Sequence, residues 1–173
     1  PKFKDNIAAL NKSVEGADAS ILASTLDASR WTVYLASGNR SPEYNIFDRD
    51  SNTLQEMFVT NPRLEGLPLA AMHEASITSR DGKTLVSYPD GNGRPETALP
   101  LVMLVHGGPW ARDTYGFSAE VQWLANRGYA VLQVNFRASS GFGKDFQNAG
   151  DREWARAMHD DLLDAKAWAV AEG

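Results

Sequence analysis

An unbroken apolar run at residues 101–105 ends abruptly in the turn sequence His106-Gly107-Gly108-Pro109. A strand without alternating polar residues is typical of a parallel sheet that is covered on both faces. Ligands of such sheets bind at the carboxyl ends of the strands, where this turn lies. The two glycines let the backbone approach a ligand closely, and their N–H groups can hold a developing oxyanion. We therefore expect an α/β fold with an oxyanion-binding loop at Gly107 and Gly108, supported by His106 and Pro109.

The residues after this loop predict two helices and a second buried strand. Apolar spacing predicts a helix over 117–126, which Gly128 ends, and an apolar strand over 130–136. This β-helix-β order predicts a parallel pair of strands. A long helix is predicted over 151–171, with an N-cap at Gly150-Asp151. One face of that helix is apolar and comprises Trp154, Met158, Leu162, Ala165 and Trp168.

The first 60 residues have a different pattern, in which short apolar runs alternate with polar turns. The predicted elements are a helix over 3–12 and strands over 20–24, 31–36, 44–48 and 53–58. Strands at this spacing indicate an antiparallel meander, which fits a sandwich, a barrel or a propeller blade. Residues 61–72 form a connector. A hairpin over 74–78 and 84–88 is predicted around Asp81-Gly82, and a loop over 89–100.

Composition narrows the possible classes of partner. The chain has 173 residues, of which 43% are hydrophobic and 23% charged, so we expect a packed core. It has no apolar run of about 18 residues, and we expect no membrane partner. The net charge of −5 without a basic stripe argues against nucleic acid. The absence of cysteine excludes thiol catalysis, and the compartment stays open between cytoplasm and periplasm.

No serine of the chain has the spacing of a catalytic nucleophile. Ser118, Ser139 and Ser140 all lack the Gly-x-Ser-x-Gly pattern, so no catalytic residue is predicted. We expect His106 to make a structural hydrogen bond rather than to act as a base. Arg137 follows the strand at 130–136, where it either faces the site or forms a structural ion pair.

The sequence predicts no metal or cofactor site. Glu153 and the run His159-Asp160-Asp161 look like a metal cluster, but neighbouring residues of one helix point in different directions. Asp161 shares the apolar face of its helix, so we expect it to pair with an arginine or a backbone N–H. The tryptophans are expected to pack in the core and loops; they are Trp110, Trp123, Trp154 and Trp168.

Several stretches, taken in order, resemble the prolyl oligopeptidase family of serine peptidases, and most of all its acylaminoacyl-peptidase and dipeptidyl-peptidase-like branch. These stretches are residues 78–82 with Tyr88-Pro89, residues 100–113, 124–131 and 135–143, and Trp154 with residues 158–162. The chain departs from the family at Ala138, where the family usually has glycine.

The resemblance implies a β-propeller followed by an α/β-hydrolase domain. Residues 1–60 would be the end of the propeller, 61–72 a linker and 73–173 the first half of the hydrolase domain, ending before the nucleophile elbow. The resemblance also implies a parent serine peptidase that cleaves short or N-acylated peptides through a Ser-Asp-His triad beyond this chain. Gly107 or Gly108 would then supply an oxyanion-hole N–H, and no cofactor is implied.

Two other functions remain open: a fragment of an esterase or lipase with the same fold, and a non-enzymatic interaction module. A fragment of a hydrolase sheet would leave the strand at 101–105 as an apolar edge with unpaired backbone groups. We therefore expect this chain to be inactive alone, and to bind the remainder of its own hydrolase domain or to self-associate through that edge.

Overall fold

The computed structural model describes residues 2–14, 16–90 and 97–172. The chain divides into two compact units. The first unit contains residues up to Leu69 together with Tyr115–Ser118, and the second contains Ala70–Thr114 and the residues from Ala119 onward. None of the helices in the described ranges combines the length and the apolar character needed to cross a bilayer.

The first unit is an antiparallel sheet with one helix packed on it. Its elements are α1 (Lys2–Ser13), β1 (Asp18–Ser24), β2 (Arg30–Ala36), β3 (Glu43–Asp48) and β4 (Thr53–Val59). The strands pair in chain order. Alternate residues of β2, namely Trp31, Val33 and Leu35, are buried with Leu10 and Val14 of the helical segment. The predicted helix and meander are confirmed.

The second unit is built around a mixed four-stranded sheet. Its elements are β5 (Ala75–Thr78), β6 (Thr84–Asp90), β7 (Leu101–Leu104), α2 (Ala119–Ala125), β8 (Ala130–Asn135), α3 (Lys144–Asn148) and α4 (Ala157–Glu172). The strand order is β5-β6-β8-β7, so β7 lies at an edge of this sheet. The predicted hairpin of β5 and β6 and the parallel pair of β7 and β8 are confirmed. The loop predicted over 89–100 is wrong at its beginning, since β6 extends to Asp90, and its residues 91–96 lie outside the described residues.

Strand β8 is buried on both faces. Leu132 and Val134 on one face belong to an apolar cluster with Met158 and Ala165 of α4. The intervening residues Gln133 and Asn135 are also buried, and polar groups in such a place need hydrogen-bond partners. The strand therefore carries Leu132 and Val134 toward α4, and its two polar residues together with Val131 on the opposite face.

The long helix begins later than the sequence predicts. It starts at Ala157, and a short helix, α3, and a turn precede it, so the N-cap predicted at Gly150-Asp151 is wrong. Arg152 and Ala155 have φ of 62° and 54°, in the left-handed region that a right-handed helix cannot contain. Trp154 lies between them, outside the helix, and so does not belong to the apolar helix face on which it was predicted.

The tryptophan prediction is wrong for three of the four residues. Trp110, Trp123 and Trp154 are each more than half exposed. Trp123 stacks instead under the guanidinium of Arg127, which lies 4.3 Å from the ring centre. Only Trp168 packs against the core of its unit, as predicted.

Candidate active site

The loop after β7 borders a cavity of about 290 Å³ in the second unit. The loop contributes residues His106, Gly107, Gly108 and Pro109. The remaining lining comes from Phe136 after β8, from Trp154 and Ala155 in the turn before α4, and from Met158, His159 and Leu162 of α4. The cavity thus has a backbone-rich wall at the carboxyl end of a parallel strand and an apolar wall opposite.

The two glycines of the loop differ in what they tolerate. Neither N–H has a hydrogen-bond acceptor among the described residues, and both glycines are exposed. Gly108 has a φ of 132°, and a Cβ added there would lie 2.7 Å from the N atom of Trp110. A Cβ on Gly107 would meet nothing within 4 Å. Only glycine fits at position 108, whereas position 107 accepts a side chain.

The ring of His106 has a defined place beside the loop. Its Nε2 is 2.8 Å from Oγ of Ser139, and its Nδ1 is 3.0 Å from the carbonyl oxygen of Gly107. The ring also stacks on Phe136, with 4.6 Å between centroids. The structural hydrogen bond predicted for His106 is therefore present. Its partner Ser139 is fully buried, which leaves its hydroxyl without access to a substrate.

Residues 111–113, at the far end of the loop, are held by hydrogen bonds to β8 and to Ser140 in the turn after β8. The N–H of Asp113 donates to Oδ1 of Asn135 (2.8 Å), and Nδ2 of Asn135 donates to the carbonyl oxygen of Asp113 (3.1 Å). Nε2 of Gln133 donates to Oδ1 of Asp113 (3.1 Å). The N–H of Ser140 donates to the carbonyl oxygen of Ala111 (2.8 Å). Sequence analysis missed these contacts, for which the two polar residues inside an otherwise apolar strand are the signal.

Asp113 and Gln133 also carry two acceptor atoms without donors. Oδ2 of Asp113 and Oε1 of Gln133 are buried, and neither has a hydrogen-bond partner in the described part of the chain. Burial raises the pKa of Asp113, although the nearby His106 and the bond from Gln133 lower it in part. The carboxyl group of Asp113 is therefore held where its charge is disfavoured.

Arg137 forms an ion-pair network, one of the two predicted alternatives. It is 5% exposed and is not among the residues that line the cavity. Its N–H and its Nε donate to Oδ2 of Asp161, at 2.9 and 2.8 Å. Its Nη1 and Nη2 donate to the carboxylate of Asp81, at 2.8 and 2.9 Å. The partner predicted for Asp161 is confirmed, whereas Asp81, in the β5–β6 turn, was missed.

These hydrogen bonds shift the pKa values of Asp81 and of Arg137. The guanidinium of Arg137 and the hydroxyl of Ser79 hold the pKa of Asp81 well below its ordinary value. The Asp161 carboxylate in turn raises the pKa of Arg137. Asp81 and Arg137 are therefore both ionised at neutral pH.

The residue after Arg137, where the chain departs from the family pattern, has a glycine-type backbone conformation. Ala138 is buried and has a φ of 82°, a conformation that glycine adopts without strain. Its Cβ also occupies the space beside Gly150, where an added Cβ would lie only 2.2 Å away. The turn after β8 therefore combines an alanine in a glycine-type conformation with a glycine that must stay without a side chain.

The run His159-Asp160-Asp161 is divided among different contacts. Asp160 and Asp164 bind Arg80, whose Nη1 and Nη2 lie 3.1 and 2.7 Å from their carboxylates. Asp161 binds Arg137, whereas His159 lines the cavity. Across the described ranges, no three His, Cys, Asp or Glu residues come together as a metal site would require.

Comparison with known sequences identifies relatives among peptidases. Residues 115–173 match the model of the prolyl oligopeptidase family. Dipeptidyl aminopeptidase BIII of Pseudoxanthomonas mexicana is 51% identical over 90% of this chain, which covers 24% of that protein. Dipeptidyl peptidase family member 6 of Caenorhabditis elegans is 36% identical over 99% of the chain, which covers 26% of it. The chain thus spans about a quarter of the length of these relatives.

Solved structures give the same fold. An acylaminoacyl peptidase of Pyrococcus horikoshii superimposes with a TM-score of 0.70 at 22% identity, covering 91% of this chain and 24% of that one. A puromycin-hydrolysing peptidase of Mycobacterium tuberculosis gives 0.71 at 21% identity, over 84% and 23%. The fold is thus the predicted one, the beginning of an α/β-hydrolase sheet preceded by antiparallel strands of a propeller. The family match, the sequence relatives and the fold agree, and the chain belongs to the prolyl oligopeptidase family.

Proposed function

We propose that this chain is part of a serine peptidase that cleaves short peptides, with a Ser-Asp-His triad in segments outside the chain. The observation that carries the proposal is the pair of unbonded glycine N–H groups at the end of β7, in a chain 51% identical to a dipeptidyl aminopeptidase. In this proposal residues 1–60 are the end of a propeller, 61–72 a linker and 73–173 the first half of the peptidase domain.

The role of the loop follows from the chemistry of acyl transfer. When a serine hydroxyl attacks a peptide carbonyl, the carbonyl oxygen gains negative charge, and fixed N–H donors stabilise it. Of the two glycines, we assign this role to Gly108, because its left-handed φ and the crowding at its Cα tolerate only glycine. Non-standard backbone that the surrounding structure enforces is typical of functional sites.

The relatives favour one substrate class over another. The relative with 51% identity is a dipeptidyl aminopeptidase by name, which supports release of dipeptides from a free amino terminus. The acylaminoacyl peptidase structure is only 22% identical to this chain over the aligned region and supports the fold alone. We therefore place free-amino peptides before N-acylated peptides as substrates of the parent protein.

The partner we propose for this chain is the remainder of its own hydrolase domain. Strand β7 lies at an edge of its sheet, and the cavity beside it has an apolar wall formed by Trp154, Met158 and Leu162. A further strand and helix placed there would pair the backbone of β7 and cover that wall. Both surfaces would then be internal in the complete domain.

Activity assays on a longer protein test the proposal. The gene is extended beyond both ends of this chain, and the product is assayed with dipeptidyl anilides, N-acyl-aminoacyl anilides and short esters. We expect hydrolysis of the dipeptidyl anilides and labelling by a fluorophosphonate at a serine outside this chain. Hydrolysis of esters alone would favour an esterase, and an extended frame without Gly-x-Ser-x-Gly would favour an interaction module. The chain alone should hydrolyse none of these substrates.

The assignment of the Gly108 N–H as an oxyanion donor is tested by a change that removes this N–H alone. Replacing the Gly108 residue by glycolic acid, through semisynthesis, substitutes an ester oxygen for the N–H and adds no side chain. We expect kcat to fall by about 10²–10³, the usual effect of losing one oxyanion donor. The same replacement at Gly107 is the matched control and should leave kcat nearly unchanged. A larger loss at Gly107 would transfer the role to that residue.

A further inference from the structure

We propose that Asp113 is a positioning residue that acts in its protonated form: Oδ2 carries a proton and donates it to Oε1 of Gln133. The closed pair of side chains then anchors the glycine loop, residues 106–113, to β8. The effect on catalysis rests on the proposed function, in which this loop holds an oxyanion, whereas the protonation of Asp113 does not depend on it.

Two side chains in contact each carry a buried oxygen without a donor. Nε2 of Gln133 donates to Oδ1 of Asp113 (3.1 Å), so the amide and the carboxyl group meet directly. Their second oxygens, Oε1 of Gln133 and Oδ2 of Asp113, are buried and have no hydrogen-bond partner among the described residues. A buried acceptor without a donor is unfavourable, and more so when it carries a charge.

One proton on Asp113 supplies the missing donor to both oxygens. A neutral carboxyl group has one O–H donor, whereas an ionised one has none. A carboxylic acid and an amide can form two hydrogen bonds side by side, N–H to carboxyl oxygen and O–H to amide oxygen. The first of these bonds is present, and the second requires the proton. Turning over the amide of Gln133 would set Oε1 against Oδ1, two acceptors, so it does not replace the proton.

The described neighbours of Asp113 provide no other donor to Oδ2. On β8, the side chain of Asn135 binds the backbone of Asp113 rather than its carboxyl group. The guanidinium of Arg112, the preceding residue, lies against Gly141, where it occupies the space of a Cβ. The carboxyl group therefore has one side-chain partner in the described part of the chain, the amide of Gln133.

The balance of charges around Asp113 favours the neutral carboxyl group. Burial is the largest influence on its pKa and raises it. His106 of the same loop and the hydrogen bond from Gln133 lower it in part. Arg137, in the turn after β8, is bound by two other carboxylates and does not compensate Asp113. Because a buried carboxylate without a partner tends to take up a proton, we expect Asp113 to be neutral at pH 7.

The pair adds a third contact between β8 and one residue of the loop. The backbone N–H and carbonyl of Asp113 bind the side chain of Asn135 at 2.8 and 3.1 Å. Two residues earlier, the carbonyl oxygen of Ala111 accepts from the N–H of Ser140 (2.8 Å). If Asp113 ionises, Oδ2 and Oε1 of Gln133 repel each other and the side-chain contact weakens. The proton thus determines how firmly this end of the loop is held.

Infrared spectroscopy of the extended protein detects the proton directly. A protonated carboxyl group has a C=O stretching band that an ionised group lacks. We expect the wild type at pH 7 to show such a band, which Asp113→Asn removes and Gln133→Leu shifts or removes. Asp151→Asn, which changes an exposed carboxyl group of the same unit, is the matched control and should keep the band. Absence of the band from the wild type, or an unchanged band in Gln133→Leu, would overturn the proposal.

Two substitutions of Asp113 separate the hydrogen bonds from the charge. Asp113→Asn keeps both bonds, because its amide nitrogen replaces the O–H, and kcat for dipeptidyl anilides should stay within about twofold of wild type. Asp113→Ala removes both bonds. It should lower kcat about tenfold, a part of the 10²–10³ that follows loss of an oxyanion donor, while KM changes by less than about threefold. Equal losses in the two variants, or wild-type kcat in a folded Ala variant, would overturn the positioning role.

The pH dependence shows whether the proton itself matters. The ratio of wild-type kcat to that of Asp113→Asn should fall at alkaline pH with the same midpoint as the infrared band. A ratio that stays constant while the band disappears, or falls while the band is intact, would overturn the positioning role. The expected band in a protein without peptide hydrolysis would instead count against the peptidase assignment and leave the protonated pair in place.

Discussion

Asp161 accepts three hydrogen bonds from one residue, Arg137, through the backbone N–H, Nε and Nη2. Asp161 is fully buried, in the first turns of α4, and Arg137 follows β8. The pair joins the sheet to its covering helix through charges that water does not reach. Such a pair adds little net free energy when complete, but its loss leaves one charge buried without a partner.

We expect Arg137→Met to lower the free energy of unfolding by about 3–5 kcal/mol, because it leaves the Asp161 carboxylate uncompensated. The control is Arg80→Met, which removes a pair of arginine contacts at the surface, where the guanidinium is half exposed. That change should cost about 0–1 kcal/mol. Urea denaturation of both variants measures the difference, and equal losses would contradict the special role of the buried pair.

Stability should decline at acid pH because of Asp81 and Asp164. Arginine contacts lower the pKa of both carboxyls below the ordinary value of 3.8. A carboxyl with a depressed folded-state pKa stabilises the protein above its unfolded-state pKa, and this stabilisation is lost as pH falls through the folded-state pKa. We expect a constant contribution between pH 7 and pH 5 and a loss below about pH 4. In the Asp81→Asn variant the free energy of unfolding should fall less steeply below pH 4 than in the wild type. An unchanged fall would refute the contribution of Asp81.

Asp113 should behave in the opposite sense. Burial raises its pKa, so its ionisation costs stability as pH rises from the unfolded-state value through the folded-state value. Asp113→Asn removes this charge and offers a donor in place of the unpartnered Oδ2. We expect a gain of about 1 kcal/mol at pH 8 and a smaller gain at pH 4. Asp113→Ala, which leaves the Gln133 amide unpaired, is the control and should destabilise the chain at both pH values.

Self-association through β7 is the fourth prediction. An apolar edge strand presents unpaired backbone groups to other chains, and a charge placed on it discourages such pairing. Sedimentation velocity at micromolar concentration should detect oligomers of this chain. Val105→Lys, at the exposed residue directly after β7, should reduce them. Val170→Lys, at an exposed position of α4, is the matched control, and a wild-type chain that stays monomeric would refute the prediction.

Local patterns sufficed for most of the fold and for the position of the glycine loop after β7, whereas the role of that loop stays a prediction. The strands and the first helix follow from apolar spacing and turn residues. The beginning of α4 did not, since Arg152 and Ala155 adopt left-handed φ values that ordinary residues rarely take and that no local pattern indicates.

The supports of the site were harder to predict than the site itself. Ser139 lies 33 residues from His106, and Asp81 lies 56 residues from Arg137. Only the folded topology brings such partners together. The type of partner was predictable for Asp161, because a carboxylate on an apolar helix face requires one, but the particular residue was not.

All the described supports of the glycine loop come from one short stretch of chain, residues 133–140. The backbone of the loop is therefore anchored to β8 and to the turn after it, whereas the side chain of Trp110 is largely exposed. Because these contacts hold the backbone of the loop, the peptide groups can keep their positions when the exposed side chain at position 110 is replaced. Position 110 is thus a position where we expect the side chain to vary without a change in the backbone of the loop.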